Sequence, residues 1–94
     1  MAVTVRIPTI LRTYTGDSSE VTLTEPGATL GSALAALEIT APGIQARILD
    51  DDGALRRFVN VYVNDEDIRF MQGLGTALKA GDEVSIVPAM AGGV

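Results

Sequence analysis

The chain has 94 residues, enough for one hydrophobic core and too few for two. It contains no cysteine and no histidine, which excludes a disulfide, a thiolate nucleophile, an imidazole base and a zinc site of the usual ligands. A net charge of −5 argues against nucleic acid or an anionic membrane as partner, and no apolar run approaches the ~20 residues of a membrane span.

The first residues alternate, with Val3, Val5 and Ile7 on one face and Thr4 and Arg6 on the other, the pattern of a half-buried strand. They lack the basic and apolar blocks of a signal peptide, so a cytoplasmic protein is expected. Pro8 ends this strand or marks a sheet edge. Residues 9–18 read as a loop after the short apolar piece Ile10-Leu11, and Val21-Thr22-Leu23 forms a second alternating run. Thr29 is placed to cap a helix in which Leu30, Ala33, Leu34 and Leu37 recur at helical spacing. Gly31 weakens its first turn slightly. Pro42-Gly43 breaks the pattern, and a short helical turn follows through Ile44, Ala46, Ile48 and Leu49.

Phe58-Val59-Asn60-Val61-Tyr62-Val63 is the strongest strand signal, its β-branched face (Val59, Val61, Val63) directed at the helix. Asn64-Asp65 makes a turn, and Ile68-Arg69-Phe70 is predicted as a short return strand. Leu74, Ala77 and Leu78 form an apolar cluster in a loop, and Ala80-Gly81-Asp82 turns into the last strand, 83–88. One substantial helix covers one face of one sheet, so the order β-β-α-(short helix)-β-β-β predicts a two-layer α+β domain. A β-grasp fold fits best, with the first and last strands as parallel neighbours. A ferredoxin-like split would need a second helix where only Gly73–Ala80 stands. The domain is expected to occupy residues 1–88 and a flexible tail residues 89–94.

Few side-chain constellations carry chemistry. Asp50-Asp51-Asp52-Gly53 and Asp65-Glu66-Asp67 lack the ligand spacing of a hard-cation loop and read as solvated turns; no metal site is expected. Gly73-Leu74-Gly75 lacks the third glycine and the preceding strand of a dinucleotide fingerprint. Arg56-Arg57 is too short for a nucleic-acid patch and either flanks an acidic turn or meets an acidic patch on a partner. Leu11, Ile68, Phe70, Met71, Leu74 and Met90 divide between core and an exposed contact patch, for which Leu11, Phe70, Met71 and Leu74 are the candidates.

The tail is the remaining feature. Ala89-Met90-Ala91-Gly92-Gly93, fully extended, reaches about 17 Å, at roughly 3.3 Å per residue, far enough to enter a deep site in another protein. Glycine at its end allows backbone walls to close around it and leaves a carbonyl open to attack. A carboxylate there is inert until a partner turns one oxygen into a leaving group, for example as a phosphate-linked anhydride.

The Gly-Gly motif, joined to Val63-Asn64-Asp65-Glu66-Asp67 and the Gly81-Asp82 turn before the last strand, resembles the ThiS/MoaD sulfur carriers, bacterial relatives of ubiquitin. Within that family the stretches Val5–Arg12, Arg57–Phe70 and Gly81–Ala89 are most similar to the actinobacterial carriers of cysteine biosynthesis. The resemblance implies a ubiquitin-like fold and a carrier acted upon by enzymes, binding no cofactor of its own. An E1-like adenylating enzyme would activate Gly93 with ATP, and sulfide or a persulfide would displace AMP to leave a thiocarboxylate. A PLP-dependent cysteine-synthase-like enzyme would pass that sulfur to an activated serine. A JAMM-type zinc metalloprotease would then release the cysteine. Ala89, Met90, Ala91 and Gly92 would enter the partner active sites. The related possibilities are sulfur delivery for molybdopterin or thiosugars and ubiquitin-like protein modification. Val94 departs from the family pattern, and its removal before activation is expected.

Overall fold

The computed structural model describes residues 1–88; the expected tail, residues 89–94, lies outside the described residues. The alternating runs become strands β1 (Val3–Arg6), β2 (Glu20–Leu23), β3 (Val59–Val63), β4 (Glu66–Asp67) and β5 (Glu83–Pro88). They form one sheet in the order β2-β1-β5-β3-β4. β5 is parallel to β1 and antiparallel to β3, so the last strand lies at the centre, as the element order predicts.

Period-two alternation fixes which residues face inward. Val3 and Val5 of β1, Val61 and Val63 of β3, and Val84 and Ile86 of β5 are buried. The opposite face carries Thr4 and Arg6, Asn60 and Tyr62, and Ser85 and Val87. Helix α1 (Leu30–Thr40) closes the inner face with Leu30, Ala33, Leu34 and Leu37, each no more than 1% exposed. Burying a leucine of this size contributes about 2 kcal/mol. The short helix α2 (Gln45–Ile48) adds Ile48, and Ile44 precedes it.

Local chemistry sets the ends of the helices. Thr29 Oγ1 accepts the Ser32 amide at 3.2 Å while Ser32 Oγ accepts the Thr29 amide at 3.1 Å, a reciprocal capping box. The Glu38 carboxylate accepts the amides of Gly43 at 2.8 Å and Gln45 at 2.9 Å, fixing the turn from α1 to α2. Those two bonds, Gly43 first, hold Glu38 below the ordinary carboxylate range against the opposing effect of burial. Gly31, expected only to weaken α1, has a packing role. A Cβ there would stand 3.3 Å from the Leu74 carbonyl oxygen, so glycine lets the 73–75 segment approach the helix.

Three expectations are corrected. Residues 9–14 form a 3-10 helix rather than open loop, and it carries Leu11 into the core. Ile68–Phe70 is a 3-10 turn, not a return strand, and β4 has only two residues. The Asp67 carboxylate accepts the Arg69 amide at 2.8 Å, which bends the backbone out of the ladder and swings Ile68 inward. The loop bearing Leu74 also contains a 3-10 turn, Gly73–Gly75.

Candidate functional site at the exit of strand β5

β5 is hydrogen-bonded on both sides, and its last residue, Pro88, pairs in register with Val59 at the start of β3. The chain therefore leaves the sheet from its centre rather than from an edge. β1 ends and β3 begins at the same end of the molecule, because β1 runs with β5 and β3 against it. Two open grooves meet the exit. One, of about 590 Å³, runs between the 3-10 helix and β5, lined by Ile7, Pro8, Ile10, Arg12, Val87 and Pro88 among others. The second, of about 500 Å³, is lined by Arg47, Asp50, Arg56, Arg57, Phe58 and Val59.

The apolar side chains here are unusually open. Ile10 is 62% exposed and Phe58 57%, and Val87 is also exposed. Phe58 precedes the inward residues Val59, Val61 and Val63, and strand parity sends it outward. Two guanidiniums are tethered: Arg12 Nε donates to the Ile7 carbonyl at 3.1 Å, and Arg56 Nε donates to the Ala46 carbonyl at 2.8 Å. Asp50 shares the second groove, but its Oδ1 already accepts the amides of Asp52 and Ala54.

The other end of β5 is closed by hydrogen bonds. Asp82, 4% exposed, accepts the Asn64 side-chain amide at 2.9 Å on Oδ1 and the Lys79 backbone amide at 2.9 Å on Oδ2. Asn64 Oδ1 in turn accepts the Glu83 amide at 3.0 Å. Burial raises the Asp82 pKa, but the Lys79 amide, the Asn64 amide and the Lys79 charge together outweigh it and hold the carboxyl below its ordinary value. Asn64 and Asp65 have φ of 51° and 73°, the left-handed pair of a type I′ hairpin turn.

Of the predicted contact patch, Phe70, Met71 and Leu74 fall in or beside two neighbouring 3-10 turns, and Leu11 does not join them. Leu11 is 7% exposed and belongs to the core, whereas Phe70 is 83% exposed. Met71 and Leu74 are half-buried against the core. Leu11 lies in the 3-10 helix between β1 and β2, beside the central strand β5, and Phe70 follows the edge strand β4. Met90 and Gly93, the residue expected to react, lie with Ala89, Ala91, Gly92 and Val94 outside the described residues. The exit grooves were not anticipated, although the outward parity of Phe58 was available in the sequence. Among the described residues no group of three or more potential metal ligands comes together, and no helix is long and apolar enough to cross a membrane.

Comparison with known proteins fits this geometry. The ThiS family model matches residues 5–93. The sulfur carrier protein CysO of Mycobacterium tuberculosis is 53% identical over 95 residues, spanning 99% of this chain and 100% of the relative. The CysO-containing crystal structure of the Amycolatopsis orientalis BexX/CysO complex superposes with a TM-score of 0.88 at 49% identity, covering 96% of this chain and 98% of the matched one. The archaeal modifier SAMP1 from Haloferax volcanii follows at a TM-score of 0.78 and 32% identity, covering 94% of each chain. A ubiquitin-like β-grasp sheet with its last strand at the centre, and a match that runs from β1 to Gly93, establish that this chain belongs to the ThiS family.

Proposed function

We propose that this chain is a sulfur carrier, a protein substrate rather than an enzyme, whose working group is the Gly93 carboxyl. The observation that supports this most is the placement of β5. A strand clamped on both sides holds the domain rigidly at the base of residues 89–94, so a partner that grips the domain has the reacting end at a fixed reach. The first step joins the Gly93 carboxylate oxygen to the α-phosphate of ATP with loss of pyrophosphate, in an E1-like enzyme. Sulfide then attacks the acyl carbon and AMP leaves, giving a thiocarboxylate. The terminal sulfur of an enzyme persulfide gives an acyl disulfide instead, and a second thiol attacking the enzyme's sulfur releases the thiocarboxylate and leaves a disulfide. Gly92 and Gly93 have no Cβ to obstruct attack on the acyl carbon.

Cysteine biosynthesis is the assigned destination of the sulfur, on the strength of the CysO relatives. There a PLP-dependent synthase directs the thiocarboxylate onto an activated serine, and a JAMM-type zinc protease frees the cysteine after acyl transfer to its amine. ATP, PLP and zinc belong to those enzymes, and this chain supplies the acyl group and the surface that presents it. Because Gly93 is followed by Val94, a free carboxylate at Gly93 requires hydrolysis of the Gly93–Val94 bond.

The test is intact-mass analysis after incubation with the cognate E1-like enzyme, ATP and sulfide. The form ending at Gly93 gains the mass of one oxygen replaced by sulfur, and the form retaining Val94 does not. Equal conversion of both forms, or of neither, contradicts the assignment of Gly93. A second reading, a ubiquitin-like modifier, is favoured by the likeness to SAMP1. Recovery of isopeptide conjugates to target lysines, with no thiocarboxylate, would select it.

A further inference from the structure

The chain is acidic, with 12 carboxylates against 7 cations, yet its cations are distributed unevenly. Arg6, Arg69 and Lys79 each have a carboxylate within 4.0 Å. Arg12, Arg47, Arg56 and Arg57 have none within that distance among the described residues, and all four line the two grooves beside Pro88. Like charges gathered in one place lower the stability of the compact state, so folding does not account for the cluster. Tethering of Arg12 and Arg56 through Nε holds their stems in place and leaves the terminal amino groups for a partner. Each groove also holds an exposed apolar side chain, Ile10 with Arg12 in the first and Phe58 with Arg47, Arg56 and Arg57 in the second.

We propose that this end of the molecule is a docking rim for an acidic protein surface, the one that surrounds the tail-accepting cleft of the activating enzyme. The proposal rests on the carrier reading above. Guanidinium forks match carboxylate geometry through paired N–H donors, and an exposed aromatic flanked by arginines is the composition of an interface anchor. A protein face occupies both kinds of group at once. Inorganic phosphate would use the arginines and leave Ile10 and Phe58 in water, and a nucleic acid would meet a chain of net charge −5. The two grooves flank Pro88 and its partner Val59, so charge pairing there orients the domain before the tail enters the cleft.

The test is isothermal titration of the form ending at Gly93, with wild-type or variant side chains, into the E1-like enzyme of its source organism at low and high salt, with thiocarboxylate formation followed in parallel. The double variant Arg47→Glu/Arg57→Glu leaves the tethering bonds of Arg12 and Arg56 intact. It is expected to bind about tenfold more weakly at low salt, with a shallower salt dependence. Its loading falls through KM, with kcat retained. Arg69→Glu, which lines neither groove and stands 3.5 Å from the Asp67 carboxylate, is expected to bind like wild type, and circular dichroism melts confirm that each variant folds. Equal affinity of wild type and the double variant, with wild type loaded, overturns the rim and leaves the carrier reading intact. Binding of wild type without loading overturns the carrier reading, and the rim is then judged on the affinity ratio alone. Absence of both overturns both. Selective competition by inorganic phosphate at matched ionic strength would assign the rim to phosphate and also overturn the proposal.

Discussion

The two ends of β5 are built on opposite plans. Where the strand begins, Asp82, Asn64 and the Lys79 amide form a bonded cluster, Gly81 N–H donates to the Ala2 carbonyl at 2.8 Å, and Leu78 N–H donates to the Ala28 carbonyl at 2.9 Å. Where it ends, apolar side chains are open, and Arg12, Arg47, Arg56 and Arg57 have no carboxylate within 4.0 Å among the described residues. One end stitches the first strand, the helix start and the last strand together. The other is left available. A carrier needs this division, because the domain must be rigid behind the point where an enzyme takes hold and unoccupied at that point.

The sharpest way to break the comparison is at Asp82. Asp82→Ala leaves the Asn64 and Lys79 donors without their acceptor and is expected to cost about 2 kcal/mol in urea unfolding. Thiocarboxylate yield per folded molecule should not change. A loss below about 0.5 kcal/mol, the usual range of a surface change, would mean that the cluster does not lock that end.

Acid titration sharpens the same point. The folded pKa of Asp82 lies below its unfolded value, so its contribution is complete above about pH 4 and is lost as pH falls through the folded value. Glu38 carries the same sign at the α1–α2 turn. Wild type should therefore lose stability relative to Asp82→Asn as pH drops below about 4, and parallel curves would contradict it.

A smaller effect is expected at the helix start. Thr29→Ala removes one half of the capping box and should cost about 1 kcal/mol in the same unfolding measurement. At the exit, Ile10→Ser and Phe58→Ser should each change stability by less than about 0.5 kcal/mol, since both side chains are already largely in water. A large loss at Phe58 would make it part of the core and remove the contrast between the two ends.

Much of this fold is legible in the residues. Alternation gives β1, β3 and β5 and their inward faces, and the spacing of Leu30, Ala33, Leu34 and Leu37 gives α1. What is not legible is where a side chain overrides the pattern. Ile68-Arg69-Phe70 reads as strand, but the Asp67 carboxylate captures the Arg69 amide and turns the backbone. Residues 9–14 show no helical period because a 3-10 helix buries only Leu11. Leu11 and Phe70 are both apolar, and only the fold puts the first in the core and leaves the second 83% exposed. Gly93 is proposed from its chemistry and its family resemblance, which need no coordinates.

The parallel pairing of β1 and β5 also has a mechanical meaning. Tension applied between the start of β1 and the residues beyond Pro88 runs along both strands in opposite senses, so it loads their hydrogen bonds in shear, all together, rather than peeling them one at a time. The β3 ladder resists the same displacement on the other flank. An enzyme that draws the tail inward therefore meets a domain that stops at its threshold instead of unravelling into it.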